Sequence, residues 1–158
     1  MTNEIFSIIR NGLTEHYQLS ISSIPINSNN EFGQNLLQEA IAYCRNGIAV
    51  DLVNRGIDIN HQDHRGQTPL HCCAQHNNLA IAELLLAKKG EVNIMDFYGN
   101  NPLWYAVFYA DGDYRFVKLL IKYGANVLSK NKAMRTPLDF AKEIDDEVMV
   151  KILLTGTD

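Results

Sequence analysis

The chain repeats itself at a fixed interval. "HRGQTPLHCCA" begins at residue 64 and "FYGNNPLWYAV" at residue 97, a shift of 33. One interval earlier Gly66 maps to Gly33, and "QTPLHCCA" maps to "QNLLQEAI". Going forward, Thr68 maps to Asn101 after 33 residues, and Asn101 to Thr136 of "RTPLDFA" after 35, so the later interval holds two extra residues. The ends of the units agree as well: "NRGIDIN", "KKGEVN" and "KYGANVL" each follow a run rich in Leu, Ile or Val. Recurrence at this period marks an array of small units, none of which can bury its apolar face without its neighbours.

Within a unit the local signals are those of two short helices. Thr68 suits an N-cap, and Pro69 suits the first turn, where its missing N–H removes nothing. Leu70, Cys73 and Ala74 share a face at helical spacing, and Asn77 and Asn78 end the helix. A second helix, from Leu79 to about Lys88, turns Ile81, Leu84 and Leu85 to one side, and Gly90 is expected to terminate it. An extended link, "EVNIMD", leads to the next turn, for which Gly66 is the pattern because glycine accepts a left-handed backbone.

These residues resemble the ankyrin repeat, whose signature is a turn glycine, "TPLHxAA" and a Leu-rich second helix ending in "GAxxN". "GQTPLHCCA" matches best, supported by "RTPLDFA" and "YGANV". The resemblance covers residues 30 to 158 and implies an all-α solenoid of stacked helix-turn-helix units forming one domain. Its units are 30–62, 63–95 and 96–130, with a C-terminal capping unit at 131–158 and a degenerate first unit at 4–27 ("EIFSIIRNG", "IPIN"). Asn35 and Asn101 stand where the family has a capping threonine, Trp104 where it has histidine, and Lys89 and Met134 where it has glycine.

Composition narrows the function. A formal charge of -4 and the absence of any Lys/Arg run exclude the electrostatic footprint of a nucleic-acid binder. Stretches such as "LAIAELLLA" are too short to span a bilayer, and "MTNEIFSIIRNG" is unlike a signal peptide. Three cysteines, Cys44, Cys72 and Cys73, are read as reduced helix-packing residues, which points to the cytoplasm. His61, His64, His71, His76, Asp63, Cys72 and Cys73 crowd together, yet their spacing fits no metal site: His71 serves local hydrogen bonding and His76 faces outward. No nucleophile elbow, metalloprotease helix or phosphate-cradling loop is present, so neither enzymatic activity nor a cofactor is expected. "EIDDE" at 143–147 reads as a solvated turn between the last two helices.

What remains is binding. Of fourteen aromatic residues, six fall within residues 96–113: Phe97, Tyr98, Trp104, Tyr105, Phe108 and Tyr109. In ankyrin stacks the turn tips and first helices line a concave groove. The resemblance therefore places Phe97, Tyr98 and Asn100 on a tip, and Phe108 and Tyr109 at the exposed end of a first helix. Tyr105 is expected in the core and Trp104 half-buried. His64, Arg65, Gln67 and His76 of the preceding unit would form the polar rim of a protein-binding surface. The "PLWYAVFYADGD…VKLLIKYGANV…TPLDFAKE" layout resembles compact stand-alone bacterial ankyrin proteins, some of which are immunity partners of secreted toxins. Neutralisation of a cognate toxin by a monomeric protein is the expected function; the alternative is a general intracellular scaffold or effector.

Overall fold

The computed structural model describes residues 2–156. Ten α-helices follow one another: α1 (Thr2–Arg10), α2 (Thr14–Ser20), α3 (Leu36–Ala42), α4 (Asn46–Asn54), α5 (Pro69–Gln75), α6 (Leu79–Ala87), α7 (Pro102–Phe108), α8 (Arg115–Lys122), α9 (Pro137–Glu143) and α10 (Glu147–Thr155). A short 3-10 turn, Ile21–Ser23, follows α2. Each odd-numbered helix packs on the next odd one, and α6 packs on α4 and α8, so the pairs stack into a two-layer, all-helical solenoid. Among the described residues the only strand-like pairing is one bridge between Asn29 and Asn35.

The stack is held by hydrogen bonds that recur with the sequence period. At the third position of α3, α5 and α7, a side-chain N–H donates to a carbonyl of the following turn. Gln38 Nε2 reaches Gln67 O (2.8 Å), His71 Nε2 reaches Asn100 O (3.0 Å) and Trp104 Nε1 reaches Arg135 O (3.4 Å). Trp104 therefore keeps the donor that defines the position while losing histidine's acceptor. Asn27, Asn60 and Asn93 likewise accept from the backbone N–H groups of Asp58, Glu91 and Asn126, at 2.9, 2.9 and 2.7 Å. Asn35 and Asn101 cap α3 and α7, and each also donates its amide to the link after the second helix, at Asp58 O and Asn126 O. A threonine has no second group with which to make that bond.

Turn chemistry explains where the repeat needs glycine. An added Cβ on Gly66 would lie 2.7 Å from Phe97 Cδ1 and 2.9 Å from Phe97 N, and on Gly33 it would strike the His64 ring at 2.4 Å. Met134 occupies the same left-handed position (φ 61°) in the fourth turn, where no further described turn stacks against it. The terminator of α6 differs from the sequence expectation. Lys89, not Gly90, takes the left-handed conformation (φ 65°) that Gly56 and Gly124 take in the neighbouring units. Gly90 is needed for another reason: a Cβ there would sit 2.9 Å from Leu85 O.

Two of the three cysteines pack as expected and one does not. Cys72 and Cys73 are buried, whereas Cys44 is exposed at a left-handed turn position (φ 55°) between α3 and α4. All three are free. Burial, with Asp63 nearby, pushes the Cys72 thiol up to about 12, and burial raises Cys73 well above its ordinary value. A native thiol titration should therefore count one fast-reacting cysteine, and the same titration in denaturant three. Rapid modification of Cys72 or Cys73 would show that α5 is not packed as described.

His71 makes the fold pH-sensitive. Its Nδ1 accepts from Thr68 N (3.0 Å), which requires the neutral ring, and burial lowers its pKa below 6.5. The unfolded chain then binds the proton more readily than the folded one, so stability is complete above pH 6.5 and falls as the pH drops toward the depressed folded value. Gln38 makes the equivalent pair of bonds with a group that does not titrate, accepting from Asn35 N and donating to Gln67 O. His71→Gln should retain the fold and flatten the dependence of melting temperature on pH between 5 and 7 (a window about the ordinary histidine pKa); an unchanged slope would assign it to another group.

Candidate protein-binding groove

Four turn tips share one construction. The side-chain oxygen of the leading Asn or Asp accepts two backbone N–H groups within its own tip. Asn30 accepts from Phe32 and Gln34, Asp63 from Arg65 and Gln67, Asp96 from Tyr98 and Asn100, and Asn131 from Ala133 and Arg135. Consecutive tips are tied by His64 N to Phe32 O (3.0 Å), Phe97 N to Arg65 O (2.9 Å) and Lys132 N to Tyr98 O (2.8 Å). With these backbone groups spent on one another, what the tips offer a partner is side chains.

Phe97, Tyr98, Phe108 and Tyr109 are exposed to 59, 63, 55 and 48%. Phe97 and Tyr98 stand on the third tip, and Phe108 and Tyr109 at the end of α7. Between the third and fourth tips and α7 lies an open hollow of about 320 Å³, lined by Asn100, Trp104, Tyr105, Phe108, Tyr109 and Asn131. A second hollow of the same size lies between the first and second tips and the end of α5, where Phe32, His64, Arg65, Gln67 and Gln75 line it. Both hollows lie between turn tips and a first helix.

His64, Arg65 and His76 are exposed, and Asn100 is half-buried with its Oδ1 accepting from Asn131 Nδ2 (3.0 Å). Gln67 needs correction. It is only 7% exposed and its amide donates to Tyr105 Oη (2.7 Å), so it borders the second hollow from beneath and supports a ring. Trp104 and Tyr105 exchange their expected places. Trp104 is 9% exposed, covered by Phe140 at 5.5 Å between ring centroids, whereas Tyr105 is half-buried. A core position would strand the tyrosine hydroxyl, and here it donates to Asp96 Oδ2 at 2.6 Å. Desolvation and that carboxylate hold the Tyr105 hydroxyl well above its ordinary pKa.

Two groove residues escaped the sequence reading. Phe32 is 59% exposed and occupies the same tip position as Arg65 and Tyr98, a signal visible in the period. Phe140, half-buried on α9, contacts Trp104 and Phe108 (5.5 and 5.4 Å) and carries the aromatic surface into the next unit. The acidic 143–147 turn is partly engaged: Glu143 pairs with Arg135, while Asp146 accepts from the Tyr114 hydroxyl and from Met149 N at the start of α10. His71 spends both ring nitrogens on backbone groups, and His76 is an exposed residue at the C-cap of α5. Among the described residues no group of three His, Cys, Asp or Glu side chains could hold a metal ion, and no helix is long and apolar enough to cross a membrane.

A family model described as "Ankyrin repeats (3 copies)" matches residues 6–96 and 40–131. An ankyrin repeat protein of variola virus is 31% identical over 122 residues, covering 65% of this chain and 21% of that protein. The mitochondrial disaggregase of Bos taurus is 32% identical, covering 66% and 20%. Alpha-latrotoxin-Lg1a of Latrodectus geometricus is 29% identical, covering 78% and 9%. The chain spans about a fifth or less of the length of these relatives.

Proposed function

From the premise that this chain belongs to the ankyrin-repeat family, a family of protein-binding modules, we propose that it binds one specific protein through the groove between its tips and first helices. The observation that carries this is the set of four exposed rings in a single unit, Phe97 and Tyr98 on the third tip and Phe108 and Tyr109 at the end of α7. Large exposed aromatic patches mark interaction surfaces, and aromatic anchors dominate their energetics. Asn100, His64, Arg65 and His76 border the rings and supply the polar edge, with Gln67 holding Tyr105 from below.

The mode of action we propose is occlusion: the module covers a functional surface of a cognate toxin and neutralises it, acting as a monomeric immunity protein in a bacterial cytoplasm. Support for this comes from the resemblance of the sequence layout to bacterial ankyrin proteins, and free Cys72 and Cys73 suit a reducing compartment. A scaffold would instead hold two proteins at once without inhibiting either. Affinity capture with the wild-type chain and with Tyr98→Ala in parallel, followed by an activity assay of whatever only the wild type retains, tests both. Inhibition at one-to-one stoichiometry supports neutralisation; retention of two proteins together, both active, supports the scaffold.

A further inference from the structure

The hollow beside α7 has a chemistry of its own. Four of its six lining residues are aromatic, and Phe140 backs Trp104 and Phe108 from the next unit. Tyr105 and Tyr109 lie nearly parallel, 14° apart with centroids at 6.5 Å, and Phe108 stands edge-on to Tyr109 at 5.0 Å. Ring faces are electron-rich and attract cations. Charge around the hollow reinforces this. The Asp96 carboxylate lies buried behind the Tyr105 hydroxyl; Asp111, exposed two residues beyond Tyr109, does not line the hollow. The nearby arginines are occupied, Arg135 by Glu143 and Arg115 by Asp113 (2.7 Å). Lys132 is exposed on its tip and does not line the hollow. Asn100 Oδ1 accepts one bond, from Asn131, and retains a second lone pair.

We propose that this hollow receives an arginine side chain of the protein partner, its guanidinium resting on the rings of Tyr105 and Tyr109 and donating to Asn100 Oδ1. This rests on the groove-binding function proposed above and adds the chemistry of the anchor. An arginine fits better than an apolar side chain for two reasons. A guanidinium is planar and weakly hydrated, and it stacks on aromatic faces while keeping N–H groups free to donate. An aliphatic anchor would desolvate the Asn100 side-chain oxygen without compensating it. Arginine is also, with Trp and Tyr, among the residues most enriched in interface anchors.

The test needs no partner. The chain has a single tryptophan, Trp104, whose indole N–H signal reports directly on the hollow. The full-length protein is titrated with N-acetyl-arginine amide, with N-acetyl-citrulline amide (the neutral isostere) and with N-acetyl-leucine amide, over the same concentration range. The arginine probe should shift the indole signal with a half-saturation about fivefold or more below that of either other probe. Tyr109→Leu keeps apolar bulk at an exposed position, so its fold should survive, as circular dichroism would verify; it should erase the preference for the arginine probe. Equal responses to arginine and citrulline would overturn the proposal, as would a stronger response to leucine, no response to any probe, or an undiminished preference in folded Tyr109→Leu. Because no partner is present, each of these results leaves the groove-binding function standing; failure of that function in partner capture would leave the titration intact.

Discussion

Phe116→Ala is expected to remove about 3–5 kcal/mol of folding stability. The ring is 2% exposed on α8, the second helix of the unit that carries the aromatic groove, and its removal leaves a cavity that the packed pairs on either side cannot close. Urea unfolding followed by circular dichroism measures the loss. A change below about 0.5 kcal/mol, the range of ordinary surface substitutions, would mean that α8 does not bury this ring. Because each unit is stabilised mainly by its neighbours, we expect the variant to broaden the transition, with the units beyond α8 unfolding first.

Tyr98→Ala should behave in the opposite way. The side chain is 63% exposed on its tip, so folding should change by no more than about 0.5 kcal/mol. If the ring anchors the partner, affinity should fall by about 2 kcal/mol or more, roughly thirtyfold. Phe108→Ala should weaken binding to a similar degree but also cost some stability, because that ring contacts Phe140 at 5.4 Å and Tyr109 at 5.0 Å. A melting curve and a binding titration of each variant separate the two roles. Early melting of Tyr98→Ala, or wild-type affinity in both variants, would remove these rings from the interface.

Periodicity made the architecture legible. The 33-residue recurrence, the capping residues at Thr68 and Thr136 and the apolar spacing in "LAIAELLLA" each name a helix boundary or face, and the helices α5, α6 and α9 lie where those signals place them. Two of the misses, Gln67 and Trp104, arise from contacts between units, which local sequence does not contain. Gln67 looked like a rim residue because its tip is exposed, yet the Tyr105 hydroxyl in the next unit draws it inward. Trp104 is covered by Phe140, 36 positions later, and the Tyr105 hydroxyl is held by the buried Asp96 carboxylate while its ring stays half-buried beside the hollow. Lys89 takes the left-handed conformation, and Gly90 is held to glycine by the closeness of Leu85 O. Phe32 was legible in principle, since it shares the tip position of Tyr98, but reading it required comparing tips instead of looking for clusters of rings.

The central claim is that the partner binds where the rings are, and backbone hydrogen exchange of the free and bound chain locates that contact directly. Binding in the groove predicts added protection at the tips, residues 96–100 and 131–135, and at the end of α7 through residue 113, with α6 and α8 on the opposite layer unchanged. Protection confined to α6 and α8, with the tips and the end of α7 exchanging as in the free chain, would contradict it.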